Sequence, residues 1–565
     1  MPIEAIDENT IHEKNHDNKQ TKAKKGLQIY SISFLIFINI LLRYPFMPHE
    51  IGWDSYFIHS LAQSISDNGL ALWIIHPFSY IGMYPNSYAS GIPFLLSSIS
   101  QIANINLETT ILLFSMLLGI ISALGMFMLA GLFRKNIGFQ LLIALIYSTS
   151  GGLLLYSTWT ASTRGAIIAF IPLLLYVYLR GMCSMDLRFQ IITGFSLLIF
   201  ATIHRMFILI IPFIIVFPVS VHILKSKFKT LSRVKFSQRN SLKYITFLGI
   251  FGIIGTFGIL LLFGILDAFY HEIIPATIRG DVIGWIIRAG AFIGRNVGLV
   301  AILSVLGFVS ILFRSGKNVF DIFIIIATIT FIPILIVGQY VSLVAIPIFC
   351  ILAGIFVHHI IKHYSEHKKT HLSKTVMACT ISTIVLSILI TGIYQSQALN
   401  IYSEGDQDDT RYLEIEGYDS AMWLNTYNEG GVISNTEASV IGRRVTGISD
   451  VAHFPGNSAE RINNGYISEQ YMFVVYRSPL DYRFYKYGFI EDVNQIDRGF
   501  QGLAKWVVRM PITDVQAYSI LENHNVAYYI INNKADYDSN TRFTDSVIEN
   551  RYCVFHNEKV VLYRL

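Results

Sequence analysis

The chain has 565 residues, 53% of them hydrophobic and only 14% charged, with a net charge of +5 and a mean hydropathy of +0.49. A soluble domain carries about 25% charged residues, so most of this chain belongs in lipid, and so small a net charge makes no case for a nucleic-acid partner. The four cysteines, Cys183, Cys350, Cys379 and Cys553, have no Cys-x-x-Cys spacing, which argues against a zinc site or a disulfide framework.

Residues 1–26 are polar and include Lys14, Lys19, Lys22, Lys24 and Lys25. The apolar run that follows has no small-residue cleavage site before Arg43 and reads as a retained first span. A spanning helix needs about 20 largely apolar residues. The candidates are 27–42, 107–133, 139–157, 165–180, 189–203, 206–224, 244–266, 296–313, 319–337, 341–361 and 375–394, eleven in all. Positive charge tests this order independently, because cytoplasmic loops collect Lys and Arg. With the N-terminus inside, the inner loops hold Arg134 and Lys135, then Arg188, then seven Lys and Arg residues from Lys225 to Lys243. Arg314 and Lys317, then Lys362, Lys368, Lys369 and Lys374, complete the pattern. The 225–243 loop is basic enough to meet anionic headgroups of the inner leaflet.

An odd number of spans puts 395–565 outside. Beyond Gln395 charges become common, and turn signals such as NEGG, HFPGN and INNK interrupt the apolar runs. VAYYIINN (526–533) and KVVLYRL (559–565) read as strands, and YDSAMWLNTYN (418–428) as a helix start. The expected fold is a polytopic α-helical protein of the cell membrane with about eleven spans. Residues 1–26 form a cytoplasmic N-terminus, 27–394 the membrane domain and 395–565 an extracytoplasmic α/β domain. Sparing cysteine and abundant Ile, Asn and Lys fit a prokaryotic source.

The first external loop, 43–106, is too long for a simple connection. In WDSYFIHSLAQSIS the apolar Trp53, Phe57, Leu61 and Ile65 recur every four residues, with Ser55, His59, Gln63 and Ser66 opposite. That pattern predicts a helix lying at the membrane surface. Asp54 stands in its first turn, where it either caps the helix or carries chemistry. Glu50 is a second carboxylate or a solvated loop residue. Arg164, Arg205, Arg279, Arg288 and Arg295 all fall near external ends of spans, and His204 joins Arg205 at a hairpin tip. Charge at such depth is costly and marks function unless it snorkels to headgroups. The external loop 267–295, with Asp267, His271, Glu272 and Asp281, has the length of a lid. His358, His359, His363, His367 and His371 lie among lysines and read as a solvated cytoplasmic face.

WDSYF, a helix ending at Asn68-Gly69, Trp73 and YPNSYASGIPFLL together resemble the first external loop of the GT-C membrane glycosyltransferases. They are most similar to the catalytic subunits of oligosaccharyltransferases, on Asp54, Tyr56, Phe57, Gly69, Trp73, Tyr84, Pro85 and Gly91. Those subunits also carry a WWDYG box that reads the acceptor sequon; here the matching region is WLNTYNEGGVISNTEASVIG, without it. The resemblance implies a GT-C-like fold and an enzyme that moves a sugar or glycan from a polyprenyl- or dolichyl-phosphate-linked donor, with inversion. The acceptor would be a glycan, lipid or protein on the outer face, with membrane lipids around the site and a divalent cation, Mg or Mn, as a candidate cofactor.

Glycosyl transfer needs a carboxylate to activate the acceptor, directly or by holding a metal, and positive charge for the leaving phosphate. Asp54 is then base or metal ligand, Glu50 a helper, Tyr84 a pocket wall, and His204 with the arginines the phosphate clamp. Three alternatives stay open: transfer to protein asparagine, transport of a lipid-linked glycan, and a non-catalytic envelope role. Transport predicts two similar halves with broken helices, a symmetry this sequence lacks.

Overall fold

The computed structural model describes residues 8–45, 47–74, 77–82, 88–227, 293–298, 300–314, 316–335, 339–367, 371–400, 415–427, 429–434, 506–523, 525–532, 542–558 and 560–565, together with Gly290, Val451 and His453–Phe454. Tyr84, Arg279, Arg288, the candidate span 244–266 and most of the 267–295 loop lie outside the described residues.

The chain is mostly helical. Helix α1 (Glu8–Leu42) leads to α2 (Trp53–Asn68), α3 (Gly91–Ala103), α4 (Leu107–Phe133), α5 (Ile137–Ser148) and the short α6 (Gly151–Leu155). Then come α7 (Thr163–Ser184), α8 (Leu187–Ile203), a 3-10 turn (Arg205–Ile210) and α9 (Ile211–Lys227). The later helices are α10 (Val300–Phe313), α11 (Val319–Leu335), α12 (Gln339–Val344), α13 (Ile346–His367) and α14 (His371–Asn400). Among the described residues four stretches are long and apolar enough to cross a membrane: Lys25–Leu42, Leu107–Phe133, Thr163–Ser184 and Arg205–Leu224. Seven further apolar helices are shorter. The expected span 139–157 breaks between α5 and α6, where Thr149, Ser150 and Ser157 turn their hydroxyls back onto backbone carbonyls. The expected span 341–361 is likewise divided, between α12 and α13.

One continuous core joins α4, α5, α7, α9 and α13, through residues such as Ile111, Leu118, Ile143, Ile167, Phe217 and Ile351. The face of α8 that carries Leu187, Ile191, Phe195 and Leu198 is exposed, as a lipid-facing helix requires. A 27-residue helix such as α4 is about 40 Å long, so its two ends lie far apart. At one end is Glu108. At the other, Arg134 meets the fully buried Asp321 at 3.1 Å, and Arg314 approaches the same carboxylate at 3.5 Å. Arg134 and Arg314 were expected on one side from charge alone, and they share an acid there.

Helix α2 departs from expectation. The sequence placed Ser55, His59, Gln63 and Ser66 on a polar face at the membrane surface; Ser55 is buried and the other three are half-buried. Ser55 and His59 turn inward because the Glu50 carboxylate is there to bond them. Gly69, in the left-handed conformation, ends the helix by donating its N–H to the Ile65 carbonyl at 2.9 Å.

The C-terminal region forms a five-stranded sheet in the order β2-β1-β3-β5-β4. The strands are β1 (Gly431–Ser434), β2 (His453–Phe454), β3 (Val526–Asn532), β4 (Cys553–His556) and β5 (Val560–Arg564). The first three run parallel; β5 pairs antiparallel with both β3 and β4. Alternation along β3 sends Tyr529 and Ile531 to one face, against Phe543 and Val547 of helix Arg542–Asn550. Tyr528 and Ile530 go to the other, against Ala421 and Leu424 of α15 (Ile415–Tyr427). This is the α/β layering that the two strand motifs predicted.

Candidate active site

Asp54 is not a helix cap. The cap position of α2 belongs to Gly52, whose φ of +102° only glycine holds without strain, and no side chain caps there. Asp54 sits in the first turn, partly exposed, with its carboxylate 3.5 Å from Arg164 Nη1. Acid at a helix N-terminus is favourable, so the position suits a charged aspartate whether or not it meets a ligand.

Arg164 reaches Asp54 because α7 begins one residue earlier, capped by the Ser162 hydroxyl, which accepts from the Gly165 N–H at 3.2 Å. At Gly165 a Cβ would fall 1.8 Å from the Tyr156 carbonyl oxygen, so only glycine lets α7 start against the loop. The loop 156–163 is therefore pulled closed at its ends. It is also sewn to the Asp54 segment: Ile51 N–H donates to Trp159 O at 2.9 Å, and Ala161 N–H to Ser55 Oγ at 2.7 Å. Trp159 takes a left-handed φ of +37°, unusual for an aromatic residue.

Two tyrosine rings hold the Arg164 guanidinium, Tyr156 at 5.6 Å and Tyr340 at 5.1 Å from their centroids. Tyr340 also meets the His204 ring edge-on at 6.0 Å. Tyr88 completes the rim, its hydroxyl 3.2 Å from Thr163 Oγ1 and its ring edge-on to Phe57 at 4.8 Å. Burial, and then the charge of Asp54, push the Tyr88 phenol well above its ordinary range, so it stays protonated. His204 is pushed down from 6.5 to about 3, by burial first and then by Arg205 and Arg164. Its geometry agrees, since Nδ1 accepts from the Met206 N–H at 2.9 Å and the proton is left on Nε2.

Three of the four buried side-chain atoms without a hydrogen-bond partner, among the described residues, lie in this loop and beside it: Thr158 Oγ1, Trp159 Nε1 and Arg164 Nε. All three can donate.

Glu50 has a different place. It is 1% exposed, and both carboxylate oxygens are engaged, one by Ser55 Oγ–H at 2.5 Å and the other by His59 Nδ1–H at 2.6 Å. The expected loop glutamate is a buried tie between the chain and α2. Arg205 and Arg295 are exposed, and Arg205 reaches the site through its charge on His204. Thus the structure brings Asp54, Arg164 and His204 together. Tyr88, Tyr156, Thr163 and Tyr340 were missed, and Gly338-Gln339-Tyr340 between two apolar runs was the available signal.

A divalent cation needs several oxygen ligands. Among the described residues no three His, Cys, Asp or Glu side chains converge, Glu50 is spent on α2, and Asp54 faces a guanidinium. These residues do not assemble a cation site. Asp267, Glu272 and Asp281 lie outside the described residues.

No family model and no curated protein matches this sequence. Solved structures do. AglB, the oligosaccharyltransferase of Archaeoglobus fulgidus, superposes over 90% of this chain and 70% of its own, with a TM-score of 0.55 at 11% identity, in a complex with an inhibitory peptide and a dolichol-phosphate. ArnT from Cupriavidus metallidurans aligns over 96% of this chain and 98% of its own, with a TM-score of 0.52 at 10% identity. This chain has the GT-C fold. The arabinofuranosyltransferase AftD from Mycobacteria shares it over 95% of this chain but only 41% of its own length, with a TM-score of 0.51 at 11% identity. Another AglB structure, with a TM-score of 0.54 at 11% identity, carries Zn and sulfate.

Proposed function

We propose that the chain is a membrane glycosyltransferase that moves a sugar or glycan from a polyprenyl-phosphate-linked donor to an acceptor glycan, lipid or protein. The observation that carries this reading is the Asp54–Arg164 pair. It sets a partly exposed carboxylate in contact with an aromatic-held cation, beside a loop whose Thr158 Oγ1 and Trp159 Nε1 are unpartnered donors. Transfer needs both functions within reach of one donor: a proton acceptor for the nucleophile and positive charge for the leaving phosphate.

The acceptor nucleophile attacks the anomeric carbon as the bond to the phosphate oxygen breaks, which inverts the centre. Asp54 takes the proton that the nucleophile loses. The bonding pair leaves on phosphate, which Arg164 receives with its charge, aided by the donor set of Thr158, Trp159 and the His204 Nε2–H. Tyr156 and Tyr340 orient the guanidinium without neutralising it, because neutral rings leave its charge for the ligand. Arg205 adds long-range attraction for the anion. Arg279, Arg288, Arg295 and Tyr84 belong to the same proposal as further contacts to donor. With the lysine-rich ends cytoplasmic, the site faces the outer leaflet, where the polyprenyl tail stays in lipid. The WWDYG box is missing, so the acceptor is not read as a sequon by that device.

The test is binding of a short-chain polyprenyl phosphate to protein in nanodiscs, together with transfer from the corresponding phosphosugar. Arg164→Gln should weaken phosphate binding at least tenfold and reduce transfer. Unchanged binding and transfer would remove the clamp from this reading.

A further inference from the structure

Among the described residues, the C-terminal sheet region meets the first-loop network through a ring stack. Tyr418, in α15, stacks on His49 with ring centroids 3.9 Å apart and an interplanar angle of 15°. Helix α15 is itself fixed to the sheet. Asn557 donates to the Glu416 carbonyl at 2.8 Å, the Tyr528 hydroxyl donates to the Tyr427 carbonyl at 2.9 Å, and Trp423 packs on Tyr528 and Phe555. Tyr418 is thus presented by a rigid element.

From His49 a series of single contacts leads inward. His49 Nδ1 lies 3.1 Å from the Glu108 carboxylate, which also accepts from the Glu50 N–H at 3.1 Å. Glu50 holds Ser55 and His59 of α2 through its buried carboxylate, and its carbonyl accepts from the Tyr56 hydroxyl at 2.7 Å. Ser55 follows Asp54 directly and accepts from the Ala161 N–H, three residues before Arg164. The outer links are one stack and two hydrogen bonds, and Glu50 then grips α2 through three. A shift of His49 is therefore passed through Glu108 and Glu50 to the first turn of α2.

We propose that Tyr418 is a positioning residue: by stacking on His49 it fixes the Glu108–Glu50–Ser55 network, and so holds Asp54 opposite Arg164. The catalytic consequence rests on the glycosyltransferase reading; the mechanical coupling does not. Small misplacements of reacting groups cost rate steeply, so a surface contact on another layer of the protein controls turnover.

The experiment compares wild type with Tyr418→Ala and Tyr418→Phe, reading amide hydrogen exchange in peptides 47–57 and 157–163 alongside kcat and KM for the donor. Tyr418→Ala should speed exchange in both peptides about 2- to 13-fold, the range that loss of an aromatic pair sets. It should lower kcat while leaving KM within about twofold, as loss of transition-state alignment requires. Tyr418→Phe should restore both, since stacking needs the ring and no hydroxyl. If Tyr418→Ala fails to fold, His49→Gln keeps a donor for Glu108, removes the stack and should loosen the same peptides. Wild-type exchange in both peptides, in a folded Tyr418→Ala or His49→Gln protein, would overturn the proposal and leave Tyr418 a docking contact. Absence of transfer by wild type would bring down the glycosyltransferase reading alone, with the exchange result still deciding the coupling.

Discussion

Replacing Asp54 by Asn separates chemistry from architecture. The carboxylate makes no cap hydrogen bond, so the helix start depends on Gly52 and does not change. What the variant loses in stability is the ion pair with Arg164 and the charge–dipole term at the first turn. The pair is 3.5 Å long with side chains 38% and 26% exposed, and solvent-facing pairs contribute about 0–1 kcal/mol. The dipole term adds about 0.3–1 kcal/mol. The sum, about 1 kcal/mol, should move the melting temperature of a chain this long by no more than about 2–3 °C. Loss of a general base costs about 10²-fold or more in rate, equivalent to about 2.7 kcal/mol of barrier. The assay is transfer of labelled sugar from a polyprenyl-phosphate donor by purified protein, with thermal unfolding measured on the same preparations. Asn should melt near wild type and lose nearly all transfer. Near wild-type transfer by the Asn variant would refute Asp54 as the base. A large drop in melting temperature would instead refute the stability reasoning.

Tyr340→Phe should retain most donor binding because the ring holds Arg164, whereas Tyr340→Ala should weaken it several-fold, measured as the Kd for polyprenyl phosphate. Glu50→Gln should destabilise by about 1.5–3 kcal/mol, the worth of buried hydrogen bonds to a charged group, and appear as a clear fall in Tm. Gly165→Ala places a methyl group on the Tyr156 carbonyl and should abolish recovery of monodisperse protein by size-exclusion chromatography. For His204 the folded-state value of about 3 lies below the 6.5 of the free side chain, so its contribution to stability is complete above about pH 6.5 and is lost as pH falls toward 3. His204→Asn keeps a capping acceptor and removes the titration, so unfolding measured from pH 7 to pH 4 should show a shallower loss.

The length of continuous apolar runs located α4 to the residue and most other membrane helices within a few, because a lipid-facing or core-facing helix must show its apolar residues in the sequence. The strands at Val526 and Val560 were equally legible from their β-branched runs. Asp54 and Arg164 stood out because charge near a bilayer is expensive. Polar burial was harder to read. Ser55 and His59 look like a wet helix face until Glu50, folded back from just before the helix, and Ala161, from a distant segment, are brought to them. The break after Ser148 was hidden too, since serine and threonine hydroxyls ended a helix without a proline. Tyr340 carried no charge to mark it, and nothing local links it to Arg164.

That distance along the chain has a consequence for how the protein is made. Asp54 and Arg164 leave the ribosome early, but the second ring over the guanidinium is Tyr340, synthesised 176 residues after Arg164, once α10 and α11 are in place. Until then the cation has Tyr156 on one side and a vacant flank on the other. A nascent chain or a truncated product ending before α12 holds the acid and the base of the cluster without the geometry that aligns them, so competence arrives only with the late helices.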